Sequence, residues 1–232
     1  MIRTLQYEIV RARSLKSTWI FPAIGIGLAW FVTSIILNTD GEGSPKLVDI
    51  VNNAYSPLSI VFITIPFAQA FGHEYRDGTM RLTLSAFPAR AKVFTAKLVV
   101  PSVLSIVATL TCFAGIGLLY MQVPDQNTSE FLLTILRHSA FTVMWGLIAA
   151  GVVIFSRNLA AGIAGVVVWA VILEQIVASI IAVKWAKIQD YLPLTKGMVW
   201  SQTGELKDFV VVLVATVLVV ILALLKFTKR DA

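Results

Sequence analysis

Long apolar runs alternate with short polar ones along the whole chain. Six stretches, 18–37, 56–72, 98–122, 131–155, 159–183 and 209–225, hold no Asp, Glu, Lys, Arg or His except Arg137, His138 and Glu174. A bilayer core of roughly 30 Å takes about 20 apolar residues per helix, so each stretch reads as a transmembrane helix. Before the first of them the pattern changes. Ile2, Leu5, Ile9 and Ala12 recur at spacings of three and four, with Arg3, Arg11 and Arg13 set largely opposite. This predicts an amphipathic interfacial helix over 1–16, its apolar side in the acyl boundary. Trp19 stands where interfacial aromatics anchor a span.

The polar connectors carry less information. Segment 38–55 holds Gly41, Gly43, Pro45 and three acids, the make-up of an exposed connection. Segment 123–130 is a short hairpin, and Asn127-Thr128-Ser129 inside it matches a glycosylation sequon. Ser156-Arg157-Asn158 is so tight a turn that the fourth and fifth spans must be antiparallel neighbours. Segment 184–208 is too long for a turn. Trp185, Ile188 and Leu192 share a helical face, Pro193 interrupts, and Leu194, Met198 and Trp200 continue the apolar character. An amphipathic or re-entrant element fits, since irregular backbone at membrane depth must be covered by protein or line a cavity. Ala23 with Gly27, Gly25 with Ala29, and Ala161 with Gly165 are spaced for close helix contact.

Composition agrees with the pattern. Of 232 residues 57% are hydrophobic and 14% charged, and the mean hydropathy is +0.82. A soluble domain has nearly twice that charge, about 25%. The expected fold is an all-α integral membrane protein of six transmembrane helices, with one membrane domain over 1–232. The first run is longer than a signal h-region and no small-x-small cleavage pattern follows it, so 18–37 counts as a span. Thirteen of the nineteen Lys and Arg (Arg3, Arg11, Arg13, Lys16, Arg76, Arg81, Arg90, Lys92, Lys97, Arg157, Lys226, Lys229 and Arg230) fall on one side if both termini are cytoplasmic. That bias sets the orientation, and the formal charge of +6 is then topological rather than a nucleic-acid patch. The only cysteine, Cys112, lies within the third span, which leaves no intrachain disulfide.

Catalytic signatures are missing. There is no Gly-x-x-x-x-Gly-Lys-Ser/Thr loop to cradle ATP, and no Gly-x-Ser-x-Gly elbow. His73-Glu74 lacks the second His of a zinc protease, and two histidines with one cysteine make a protein-only metal site unexpected. The chain is therefore expected not to be an enzyme, and to hold no cofactor or metal of its own.

The most informative segment is 72–97. Asp77-Gly78 is a turn signal, Thr79 could cap a following helix, and Met80, Leu84 and Phe87 recur at i, i+4 and i+7 before Pro88 stops the helix. Segment 75–90 is thus expected to hold a short helix with one apolar face. Either it packs on the membrane surface, or Met80, Leu84 and Phe87 anchor it in the groove of a cytoplasmic partner.

In its order of Glu74, Gly78-Thr79, an apolar turn from Met80 to Leu84, Pro88-Ala89-Arg90 and Lys97, this segment resembles the permease subunits of ABC type-2 exporters. The basic amphipathic start, the six spans and the outer element before the last span are similar too, and the short bacitracin-type and lantibiotic-immunity permeases are nearest in length and layout. His73 and Tyr75 are not part of the pattern. The resemblance implies a pair of permeases, identical or different, in the cell membrane with two separate ATPase subunits that supply ATP and Mg. It implies export of a peptide, antibiotic or lipid-like amphiphile. Glu74 would brace a coupling loop whose turn is Gly78-Thr79, the short helix after Asp77 would transmit the ATPase's movement with Met80, Leu84 and Phe87 meeting the ATPase, and Arg81 and Arg90 would pair with it or with Glu74. The competing class is an ATP-independent carrier or a structural membrane subunit, though no inverted repeat of the carrier kind is visible.

Glu174 is the one acid inside a span, and a carboxylate near a helix centre costs roughly 2.5–3.5 kcal/mol on insertion scales. Depth counting from the span ends puts Arg137 near it. The expectations are a structural Glu174–Arg137 ion pair, a path-lining carboxylate with Gln175 beside it, or a protonated acid held by a backbone or amide partner.

Overall fold

The structure is a computed structural model that describes residues 2–39, 50, 52–53, 55, 57–120, 128–176 and 191–230. Every regular element among them is helical. Helix α1 is Ile2–Ser14, α2 Lys16–Thr39, α3 Pro57–Arg76, α4 Met80–Ala86, α5 Arg90–Tyr120 and α6 Thr128–Ser156. Helix α7, Leu159–Val168, runs on through a π turn, Trp169–Leu173, into a further α-helical turn, Glu174–Ile176; α8 is Pro193–Thr203 and α9 is Leu206–Arg230. Four of these helices, α2, α5, α6 and α9, are long and apolar enough to cross a membrane. The sequon at Asn127 and most of the connections 38–55, 123–130 and 184–192 lie outside the described residues.

Helix α3 is the centre of the bundle. From Ser59 to Gly72 every residue but Phe62 is buried, against α2, α5, α6 and α7. The long helices around it turn large apolar side chains outward, among them Phe31, Val103, Leu136 and Leu218. Buried on all sides by helices, α3 needs no lipid-facing stripe; its neighbours do. Gly25 of α2 allows a close approach to the α3 backbone, since a Cβ there would lie 2.8 Å from the Ser59 carbonyl oxygen. Gly27 faces open space, so of the two small-residue pairs in α2 only Gly25–Ala29 serves a helix contact.

Two apolar cores fill the bundle, one at each end. Tyr55, Phe113, Phe141 and Trp145 build one beside α8. Phe67, Phe71, Phe94 and Phe227 build the other beside α4. The turn between α6 and α7 is as tight as expected: Arg157 takes a φ of 53°, and the Asn158 side chain accepts a hydrogen bond from the Ala161 N–H at 3.1 Å.

Helix α1 lies at the α4 end, and its faces are turned differently from the expectation. Thr4, Glu8 and, at 16% side-chain exposure, Arg11 point into the bundle, while Ile2, Ile9 and Val10 are exposed. Arg11 thus leaves the outward basic set, because buried carboxylates await it on the inner side.

Candidate functional site

Four charged side chains meet where α1, α3 and α5 converge. The Lys97 ammonium is fully buried, donates to Glu8 Oε1 at 2.8 Å and to the Ala70 carbonyl at 3.2 Å, and makes a short bond to Glu74 Oε1. The Arg11 guanidinium donates to Glu8 Oε2 and Glu74 Oε1, each at 2.9 Å, and to the Ala70 carbonyl at 2.7 Å. Two acids face two bases, so the set is neutral when all four are ionised. Taking such charges out of water costs several kcal/mol each, and only mutual pairing with extra hydrogen bonds offsets it. Arg11 Nε and Glu74 Oε2 have no hydrogen-bond partner among the described residues.

This cluster leads directly into the turn before α4. The backbone carbonyl of Glu74 accepts the Thr79 N–H at 3.0 Å, closing a wide C-terminal turn around Gly78, whose φ is +66°. Only glycine takes that conformation without strain, which is why Asp77-Gly78 reads as a turn in the sequence. Asp77 is exposed, and the hydrogen bond from Arg76 holds its carboxyl below the usual range. Thr79 does not cap α4 as expected. It is already helical, with φ −85° and ψ −4°, and its hydroxyl makes no capping bond; a capping side chain needs the extended backbone that this turn denies it.

The apolar face of α4 requires a second correction. Met80 and Leu84 are buried in the chain's own core with Phe71, Phe94 and Phe227, and Phe87 packs on Tyr7 of α1 with ring centroids 5.8 Å apart. Met80 and Leu84 are thus not free to anchor a partner, and Phe87 is half-buried. The face left outside carries Arg81, Leu82, Ser85 and Ala86, with Leu82 70% exposed. Arg90 turns to the end of α9, where Nη1 donates to the Thr228 carbonyl, rather than to Glu74. Glu74 takes Arg11 and Lys97 instead.

At the opposite end the Glu174–Arg137 pair does not form. Glu174 Oε1 accepts from the Trp169 indole at 2.8 Å and the Leu194 N–H at 3.0 Å, and Oε2 accepts from the Thr195 N–H at 2.8 Å and its hydroxyl at 2.9 Å. The carboxylate closes the N-terminus of α8, where helical N–H groups lack internal partners and the dipole favours an anion. Arg137 lies at the other end of α8: a Cβ on Gly204, the residue that ends it at φ +78°, would come within 2.4 Å of the Arg137 Cζ. Each charge sits at the helix end that suits its sign. With its oxygens so taken, Glu174 holds α8 and is no free carboxylate for a cationic substrate. The side chain of Gln175 lies outside the described residues.

The π turn makes the Glu174 arrangement possible, because it sets Trp169 and Glu174, five residues apart, on one side of α7. Beside α8 a polar chain runs through the core: Ser201 lies 3.4 Å from His138 Nε2, and the Tyr55 hydroxyl bonds Thr109 at 2.9 Å and Thr142 at 2.7 Å. Among the described residues there is no group of three or more His, Cys, Asp or Glu arranged to hold a metal ion.

Glu8 and Arg11 are the site residues that sequence reasoning passed over. The signal was present: Glu8 is the sole acid before Asp40, and Thr4, Glu8 and Arg11 stand at i, i+4 and i+7. No protein-family model and no curated protein matches the chain. The geometry makes it an all-α protein whose long apolar helices are those of a membrane protein.

Proposed function

We propose that the chain is the transmembrane permease subunit of an ATP-driven exporter, with the short helix α4 as the contact for a separate ATPase. One observation carries the reading. Glu74 holds the turn before α4 through its backbone carbonyl, while its carboxylate binds Arg11 of α1 and Lys97 of α5. A displacement of α4 is therefore shared among three helices instead of being absorbed in a loose loop. The outward Arg81, Leu82, Ser85 and Ala86 form the docking face, and the buried Met80 and Leu84 fasten α4 to the bundle. In this reading α3 and the stretch 159–183 complete six spans, both termini face the cytoplasm, and a second permease completes the path for an amphiphilic substrate. Hydrolysis of ATP belongs to the partner.

Co-purification from the native membrane tests it. An ATPase should accompany the chain, and Leu82→Asp should abolish that association while leaving the permease folded, because Leu82 is exposed. If no ATPase accompanies the parent chain, a carrier or structural subunit replaces this reading.

A further inference from the structure

A cavity of about 20 Å³ lies between α1, α2, α3 and α5, beside the four-charge cluster. One water needs about 10–15 Å³ and two to four polar partners, so the space suits one water and nothing larger. Part of its lining is polar: Glu8, Arg11, Thr18 and Gln69 contribute, together with Pro66 and Pro101. Arg11 uses both terminal nitrogens on Glu8, Glu74 and the Ala70 carbonyl. Its Nε is buried and has no hydrogen-bond partner among the described residues. The Thr18 hydroxyl reaches Gln69 Oε1 only at 3.5 Å, so that buried oxygen has capacity left. Pro101 supplies a further acceptor. It stands inside α5 without an N–H, so the helical bond to the Lys97 carbonyl, four residues earlier, is not made. In membrane helices a carbonyl freed by proline is met by a neighbouring side chain or an ordered water.

We infer that this cavity is the binding site of one ordered water, which accepts from the Arg11 Nε–H and donates to Gln69 Oε1 and the Lys97 carbonyl. Charge selects a neutral occupant. Glu8 and Glu74 already balance Arg11 and Lys97, so an ion would bring an uncompensated charge into a buried site, which burial penalises strongly. A dry cavity fits no better, because a buried donor without an acceptor keeps its full desolvation penalty. The water completes the cluster and joins α1 to α3 and α5 through one more set of hydrogen bonds. The inference does not depend on the exporter reading, because the water is seen in the chain without an ATPase.

Crystals of the full chain grown in bromide, diffracting far enough to show ordered water, test it. The parent should show one compact density peak within about 2.7–3.2 Å of both Arg11 Nε and the Lys97 carbonyl oxygen, without bromide anomalous signal. Pro101→Ala returns an N–H to that carbonyl, and alanine favours the helix, so folding is not at risk. In this variant the peak should leave the carbonyl or disappear. A parent without the peak overturns the site, and so does a Pro101→Ala peak unchanged in place and height. An anomalous bromide peak overturns it in favour of an anion, and elongated density in favour of a lipid or detergent chain.

Discussion

Replacing Lys97 with Met tests the four-charge cluster most directly. In the parent, Glu8 and Glu74 are balanced by Arg11 and Lys97, and none of the four side chains is more than 16% exposed. Methionine keeps most of the side-chain length, so little cavity forms beside Phe71, above whose ring the ammonium lies at 5.9 Å. What changes is charge: two buried carboxylates must then share one guanidinium. Removing one partner of a buried pair costs about 3–5 kcal/mol. For a chain of this size each kcal/mol moves Tm by about 2–4 °C, so the expected fall is about 6–20 °C. Adding Glu8→Gln restores neutrality, since Glu74 and Arg11 remain paired, and should recover a large part of the loss. Thermal unfolding in detergent, read by tryptophan fluorescence, measures both variants. The reasoning fails if Lys97→Met unfolds within about 1 kcal/mol of the parent, near the scatter of surface substitutions. It fails equally if the double variant is no more stable than the single one.

Glu174→Gln should destabilise by about 1–3 kcal/mol, because one oxygen that accepts N–H donors becomes an NH₂ facing them; adding Arg137→Gln should give no rescue in the same melt, unlike a true pair. Gly197→Ala places a Cβ 1.9 Å from Phe141 Cε2 and should cost about 1–3 kcal/mol by overpacking, whereas Gly27→Ala meets no atom within 4 Å and should gain about 0.5–1 kcal/mol in helix propensity. Met80→Asp, at a position only 6% exposed, should prevent folding as judged by gel filtration, while Leu82→Asp elutes as the parent does. Membrane-impermeant thiol reagents added to intact cells should label a cysteine at Glu205 and not one at Leu82, against little background from the buried Cys112.

The sequence by itself determined the class of the molecule and roughly where its four longest apolar helices lie, although α5 begins at Arg90, eight residues before the apolar run. Runs without charge can end only where polar backbone and side chains reach water, so the positions of α2, α5, α6 and α9 follow from composition along the chain. Local chemistry was equally legible: Asp77-Gly78 turns, Pro88 stops α4, and Arg157-Asn158 folds α6 back on α7. These outcomes depend on backbone conformations of one or a few residues, which the sequence specifies directly.

Tertiary structure alone decided which way each face points and which charges meet. Met80, Leu84 and Phe87 have the period of a docking helix, but the same period serves inward packing, and Phe71, Phe94 and Phe227 come from three other helices to receive them. Depth counting put Glu174 level with Arg137 and missed that α8 lies between their targets, offering N–H groups at one end and carbonyls at the other. Glu8 and Lys97 are 89 residues apart, and nothing local to either announces the other. Helix propensity and hydropathy are sums over neighbours in the chain. A buried charge is stabilised instead by whichever groups the bundle brings within hydrogen-bond distance, and that is fixed only when all the helices have packed.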